Sequence, residues 1–157
     1  HASKNQKKAK SYKFEKDGTF DFEGVCLDSA NHRLLVACKE HGKKKKRDHI
    51  YIYAFSLEEK EYSKSPLFKI PKELVHPNFK PSGIAIHPLT QEIYILSSFS
   101  KTLLVINNAG DVIGFSQLNE YIHHQPEGIT FSPNGTLFIS NEKHNTYPTL
   151  LQFNSKE

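Results

Sequence analysis

Two carboxylates in this sequence stand directly before a glycine at the start of an apolar, strand-like segment. They are Glu23 and Glu127, and Ser82 holds the same place in a third segment of this kind. Carboxylate oxygens are the ligands that a hard cation such as calcium prefers, at about six to eight oxygens per ion. Glu23 and Glu127 are therefore candidate metal ligands if the fold brings them together.

The three segments are copies of one pattern. Each opens at a glycine, namely Gly24, Gly83 and Gly128, and each is followed by a turn-rich link and a second apolar strand. The second strands cover residues 34–37, 93–96 and 137–140. A repeat of tens of residues built from short strands indicates units that bury their apolar faces only by packing on one another.

Further strand-like segments follow within each unit, at 49–55 and 66–70, at 102–106 and 112–115, and at 149–153. They are rich in β-branched and aromatic residues, which favour strands. Four short antiparallel strands per unit are typical of a propeller blade. The sequence therefore predicts an all-β fold, a β-propeller with four-stranded antiparallel blades, of which three blades of a six-bladed ring are present near 20–70, 79–118 and 124–155.

The predicted ring is incomplete, because propellers close with about four to eight blades. We assign residues 20–157 to the partial propeller and residues 1–19 to a basic segment. Within that segment, Tyr12-Lys13-Phe14 could form the outer strand of a preceding blade. The missing blades would come from a longer form of the same chain or from a second copy. The absence of methionine favours a processed product or a fragment.

Blade geometry predicts that polar residues gather at one end of the central channel. The start of each inner strand and the end of the strand after it lie at the same rim, because the two strands are antiparallel. This rule adds further residues to Glu23, Ser82 and Glu127: Lys39, Glu40, Ser98, His123, His124, Asn141 and Glu142. We expect this rim to bind a small polar ligand, a protein partner or calcium.

Each of these residues also has an ordinary structural interpretation. A glutamate before a glycine can accept hydrogen bonds from the backbone of the neighbouring blade and so lock two blades together. His123 and His124 are compatible with an exposed loop, and Asn141 and Glu142 are compatible with a polar one. The sequence leaves both interpretations open.

Charge and hydropathy narrow the class of partner. The net charge of +4 comes mostly from lysines near the amino terminus and from the run at 43–47. No aromatic residues are interleaved with the run at 43–47 as stacking platforms for bases, so we expect no nucleic-acid binding. No apolar run approaches the roughly 20 residues that cross a bilayer, and residues 1–10 do not resemble a signal peptide.

The two cysteines are expected to be unpaired. If residues 22–38 form a hairpin around the turn at 29–32, Cys26 lies opposite Leu35 and Cys38 lies opposite Glu23. The two thiols then do not face each other, which disfavours a disulfide. Their spacing also matches no zinc or redox motif.

No catalytic motif is present. The sequence has no Gly-x-Ser-x-Gly elbow, phosphate-binding loop or His-Glu-x-x-His pattern. Lactone hydrolysis would need a metal with a nearby general base. We therefore predict a non-enzymatic binding module, with a calcium-dependent lactonase-like hydrolase that uses Glu23 and Glu127 as the alternative.

Five motifs resemble the SdiA-regulated family. They read DFEGVCLD at 21–28, RLLVACK at 33–39, PSGIAIHP at 81–88, QPEGITF at 125–131 and NGTLFISNE at 134–142. The resemblance extends over residues 20–153 and implies a propeller related to NHL-type and gluconolactonase-like propellers, with further blades before these motifs. It also implies export to the periplasm or the cell envelope, often as a membrane-anchored lipoprotein. No established catalytic activity comes with the resemblance.

Overall fold

The structure, a computed structural model, describes residues 9–16, 19–42, 48–143 and 147–154, without the side chains of 40–42. These residues form strands and one short 3-10 turn, Lys72–Leu74. The strands are β1 (Thr19–Asp28), β2 (Arg33–Gly42), β3 (His49–Ser56), β4 (Phe68–Pro71), β5 (Gly83–Ile86), β6 (Ile93–Ser97), β7 (Thr102–Ile106), β8 (Val112–Gln117), β9 (Pro126–Phe131), β10 (Leu137–Asn141) and β11 (Thr149–Phe153).

The strands form three separate antiparallel sheets in chain order. Blade 1 has the order β1-β2-β3-β4, blade 2 has β5-β6-β7-β8, and blade 3 has β9-β10-β11 in the described part of the chain. The first strand of blade 2, β5, packs against the first strands of the other two blades, β1 and β9. The predicted all-β, blade-like architecture is confirmed, with the first strand of each blade innermost.

Close contact between the inner strands explains the repeated glycine. A Cβ atom on Gly24 would lie 3.0 Å from the backbone nitrogen of Ile84 and 3.1 Å from the Cα of Gly83. A Cβ atom on Gly83 would lie 2.8 Å from the carbonyl oxygen of Glu127. Side chains at these positions would force the blades apart, so glycine is required for the backbones to approach.

The apolar core lies between the blades, because alternate residues of each strand point to opposite faces of the sheet. Leu35 and Ile52 of blade 1 pack with Ile84, Ile95 and other apolar residues of blade 2 in one buried cluster. A second cluster, between blades 2 and 3, contains Leu96, Leu103 and Ile139. Neighbouring blades therefore stabilise each other through these shared clusters.

An aromatic cluster covers part of the other face of blade 1. The ring of Phe14 contacts the rings of Phe20, Phe22, Tyr53 and Tyr62 edge-on, with centroids 4.8–5.2 Å apart. Residues 9–16 form no strand. This segment, expected to hold the outer strand of a preceding blade, thus lies on blade 1 through aromatic contacts.

The register of β1 and β2 refines the predicted cysteine positions. Cys26 lies opposite Leu35, as predicted, whereas Cys38 lies opposite Phe22 rather than Glu23. The one-residue difference arises because β1 bulges at Glu23. The two cysteines form no disulfide with each other. Burial raises the pKa of Cys26 to about 12, and the charge of Asp28 adds to the shift.

The connectors are short. The chain after Pro71 forms the 3-10 turn Lys72–Leu74, and residues 119–123 form a turn closed by hydrogen bonds to the carbonyl of Asn119. Among the described residues, no helix has the length and apolar character needed to cross a membrane. The basic run at 43–47 lies outside the described residues.

Candidate ligand-binding rim

Two β-bulges place the glutamates at the channel rim. In β1, Phe22 and Gly24 have partners on β2, and Glu23 between them has none. In β9, Pro126 and Gly128 have partners on β10, and Glu127 between them has none. A bulge turns the extra residue out of the regular alternation and re-aims its side chain. Equivalent bulges therefore present a carboxylate at the start of two inner strands.

The two glutamates share one cavity of about 430 Å³, which we call the rim pocket. Five of the predicted rim residues line it, together with Ser140, which the sequence did not indicate. The lining residues are Glu23, Lys39, Glu127, Ser140, Asn141 and Glu142. Blades 1 and 3 thus contribute to a single opening.

Among the described residues that line the rim pocket, Lys39 is the one cation. Its Nζ lies 2.7 Å from Oε1 of Glu23. The hydrogen bond that Lys39 donates to Glu23 raises the pKa of Lys39 above its ordinary value, and the charges of Glu23, Asp21 and Glu127 raise it further. Because both partners are partly exposed, the ion pair itself contributes at most about 1 kcal/mol. Its main effect is to hold an ammonium group against a carboxylate that would otherwise be free for a ligand.

Glu142 is fixed by the residue that leads into β9. Gln125 Nε2 donates a hydrogen bond to Glu142 Oε2 at 2.6 Å, and the backbone nitrogen of Glu142 donates to the Gln125 carbonyl at 2.9 Å. The rim pocket then carries three carboxylates and one ammonium group. Its net charge is negative, although the whole chain is positive.

Ser82 joins two blades instead of lining the rim pocket. Its buried hydroxyl donates to the carbonyl of Pro126 at 2.9 Å and accepts from the backbone nitrogen of Ser98 at 3.0 Å. The blade-locking role considered for the glutamates is therefore performed in blade 2 by this serine. The residue types alone did not show that Ser82 joins two blades whereas Glu23 and Glu127 line the pocket.

Ser98 and His124 also lie outside the lining of the rim pocket, and Lys101 links them. Its Nζ donates to the carbonyl oxygens of both residues at 2.8 Å. Burial lowers the pKa of Lys101, and the charges of Glu127 and Glu120 oppose that shift. Lys101 could not be selected from the sequence, because its role depends on two backbone carbonyls that only the fold brings together.

His123 is buried, with 2% of its surface exposed, and its ring stacks on Phe153 with centroids 5.7 Å apart. This contradicts the interpretation of His123 as an exposed loop residue. Beside it, Asn141 Nδ2 donates to the carbonyl of Ile122 at 3.2 Å and to Thr149 Oγ1 at 2.9 Å. His123 is therefore a packing residue under the rim rather than part of its surface.

Glu40 is the remaining predicted rim residue. Its backbone pairs with Asp21 near the end of the β1–β2 ladder, and its side chain is outside the described residues. Within the described ranges, no group of three or more histidine, cysteine, aspartate or glutamate side chains is arranged to hold a metal ion.

Comparison with solved structures assigns the fold. A chain of a nidogen/laminin complex matches with a TM-score of 0.58 and 18% identity, over 83% of this chain and 43% of that chain. A protein of unknown function from Bacteroides caccae matches with a TM-score of 0.58 and 12% identity, over 86% and 42%. A glucose dehydrogenase matches with a TM-score of 0.54 and 14% identity, over 88% and 42%. At these identities the likeness shows the β-propeller fold alone.

The chain spans less than half the length of each of these solved chains. The family pattern described as SdiA-regulated matches residues 2–149. No curated protein sequence matches the chain.

Proposed function

We propose that this chain, which belongs to the SdiA-regulated family, binds a positively charged small ligand or partner segment at the rim pocket without catalysing a reaction. We place this activity outside the cytoplasm, in the periplasm or at the cell envelope, because the family resemblance implies export. The observation that carries the proposal is the convergence of Glu23, Glu127 and Glu142 on one cavity.

The sign of the charge indicates the class of ligand. Three carboxylates face one ammonium group in the rim pocket, so an incoming cation gains attraction while an anion meets repulsion. A partly enclosed pocket strengthens such interactions relative to open water. A protonated amine or a guanidinium group carries only hydrogen-bond donors, and carboxylates only accept hydrogen bonds. Such a ligand group can therefore donate to all three carboxylates.

Lys39 is not suited to act as a general base. A general base works best with a pKa near the working pH. The pKa of Lys39 is instead raised above its ordinary value of 10.5 by Glu23, which keeps the amine protonated at neutral pH. Lys39 therefore acts as a fixed charge rather than as a proton acceptor.

One observation favours the calcium-dependent alternative: Glu23 and Glu127 line the same pocket. For calcium to use Glu23 fully, it would have to displace Lys39 from Oε1, where the ammonium lies at 2.7 Å. Further oxygens would also be needed to reach the usual six to eight. Titration with calcium and with an amine in separate experiments distinguishes this alternative from amine binding.

Calorimetric titration with spermidine, and separately with calcium chloride, tests the proposal. We expect heat on addition of spermidine, and we expect Glu127→Gln to weaken binding about tenfold, equivalent to about 1.4 kcal/mol. The control Glu59→Gln removes the same charge from an exposed turn and should bind like the original protein. Absence of spermidine binding would refute the proposal, whereas calcium binding with lactone turnover would establish the alternative.

A further inference from the structure

The surface around the rim pocket carries exposed apolar side chains as well as acidic ones. Because the strands of each blade are antiparallel, the connection between its second and third strands and the connection to the next blade both lie at the rim end. Large apolar side chains that are exposed in the described connections lie mostly at this end: they are Leu74, Phe99, Tyr121, Ile122 and Tyr147, whereas Leu89 lies at the opposite end. The end that holds the rim pocket is therefore the more apolar one.

The connection that carries Tyr121 and Ile122 borders the rim pocket. Asn141 lines the pocket and donates through Nδ2 to the carbonyl of Ile122 at 3.2 Å. The backbone nitrogen of Tyr121 donates to Oδ1 of Asn119 at 2.9 Å. Tyr121 is 82% exposed and Ile122 is 47% exposed. The backbone of this connection is thus fixed to the pocket wall, while both side chains face solvent.

Phe99 lies in the neighbouring connection, the turn between β6 and β7. Lys101 Nζ donates to the carbonyls of Ser98 and His124 at 2.8 Å each, which ties this turn to the segment that leads into β9. Lys80 Nζ lies 5.3 Å from the centroid of the Phe99 ring, and 67% of Phe99 is exposed. The turn with Phe99 is thus fixed beside the connection that carries Tyr121 and Ile122.

Phe99, Tyr121 and Ile122, which we call the apolar patch, belong to the junction of blades 2 and 3. Blade 2 has a blade on each side, because β5 packs on both β1 and β9. Blades added to either side of the arc would therefore extend it without covering the patch. Exposed apolar side chains grouped on one surface mark a site where a partner docks, and aromatic residues are enriched at such sites.

The rim pocket indicates the charged part of that partner. Lys39 is bonded to Glu23, and Gln125 is bonded to Glu142. No described residue donates a hydrogen bond to the carboxylate of Glu127. A cation from outside can therefore pair with Glu127 without displacing a hydrogen bond within the described chain.

Asn141 gives an independent indication that a hydrogen-bond donor enters the pocket. It is 4% exposed, and its Oδ1 is a buried acceptor without a donor among the described residues. The carbonyl of Ile122 can only accept, so Nδ2 must point toward Ile122 and Thr149, and Oδ1 is directed away from them. A buried acceptor without a donor is unfavourable. A guanidinium group presents its N–H donors in a planar fork, so it can serve Glu127 and Asn141 together.

We infer that the partner at this surface is a protein segment in which an arginine is flanked by apolar side chains. The arginine enters the rim pocket and pairs with Glu127, and an apolar neighbour packs on the apolar patch. The inference rests on the proposed binding of cations at the rim pocket and adds which cation binds there and what accompanies it. Arginine together with aromatic side chains is the combination that contributes most to binding at protein interfaces.

Calorimetric titration of the full chain with short peptides tests the inference. The probe is acetylated and amidated Gly-Phe-Arg-Phe-Gly. The matched peptide Gly-Ser-Arg-Ser-Gly keeps the charge without the apolar neighbours, and Gly-Phe-Gln-Phe-Gly keeps the apolar neighbours without the charge. We expect the probe to bind at least about tenfold more tightly than either matched peptide, because each of them loses one of the two contacts.

Variants show whether the apolar patch makes the second contact. Tyr121→Ser and Phe99→Ser should each reduce the preference for the probe over Gly-Ser-Arg-Ser-Gly to below about threefold. Leu89→Ser is the matched control, since Leu89 is 69% exposed at the opposite end, and it should retain the full preference. Circular dichroism checks that all three variants keep their strands.

Titration with spermidine separates the failure of this inference from the failure of the proposed function. If spermidine binds but the peptides with and without phenylalanine bind equally, the inference is overturned and cation binding at the rim pocket stands. The same holds if the preference survives both Tyr121→Ser and Phe99→Ser. If neither spermidine nor the probe binds, the proposed function and the inference are both overturned.

Discussion

Individual rim residues show which parts of the site the sequence could predict. The positions of Glu23 and Glu127 follow from the repeat, because each precedes the glycine that opens an inner strand. The bulges that aim both carboxylates into one pocket did not follow, since a bulge depends on the register with the partner strand. The burial of His123 was also missed, because the stacking partner Phe153 is remote in sequence.

His123 makes a prediction about pH. Burial, and to a smaller extent the charge of Lys101, lowers the pKa of His123 below its ordinary value of 6.5. At a pH below 6.5 the unfolded chain binds more protons than the folded protein, so the free energy of unfolding decreases as the pH falls. We expect the free energy of unfolding in urea to drop from pH 7.5 to 5.5, and His123→Phe, which keeps the stacked ring, to drop less.

The exposed His32 provides the control for this measurement, because His32→Asn should lose as much stability on acidification as the original protein. Asparagine tolerates the positive φ of 49° at that position. If His123→Phe lost stability equally, the buried neutral imidazole would be excluded as a source of the pH dependence.

At the scale of elements, the strands were the most predictable part of the structure. Alternating and β-branched segments such as 49–55 and 102–106 became β3 and β7 nearly within their predicted bounds. The repeated glycine at the start of each inner strand is visible in the sequence, but the reason why glycine is needed there is not. For Gly24 and Gly83 that reason is the backbone of the next blade, between 44 and 60 residues away along the chain and in direct contact in space.

Substitution of one inner-strand glycine tests this contact. In Gly83→Ala, the new Cβ would lie 2.8 Å from the Glu127 carbonyl oxygen, so blades 2 and 3 must separate. We expect a loss of about 1–3 kcal/mol in the free energy of unfolding, measured by urea denaturation. Gly114→Ala is the matched control, because nothing lies within 4 Å of its Cβ position. Equal stability of the two variants would contradict the close approach.

At the scale of the whole molecule, the blade order was predictable and the division of roles among the polar residues was not. Three sheets in chain order, with β5 between β1 and β9, follow from the repeat of strand pairs. The sequence left open whether the polar residues at strand starts form a site or lock the blades. The structure divides these roles, with Glu23 and Glu127 in the rim pocket and Ser82 between blades.

The pKa of Lys39 provides the most direct test that blades 1 and 3 share one rim, and side-chain NMR at low salt can measure it. We predict a value above 10.5, a large decrease in Glu23→Gln, a smaller decrease in Glu127→Gln and no change in Glu59→Gln. Glu127 belongs to a different sheet, so its effect requires the two inner strands to meet at a common centre. A Lys39 pKa that is identical in the original protein and in Glu127→Gln would contradict the account.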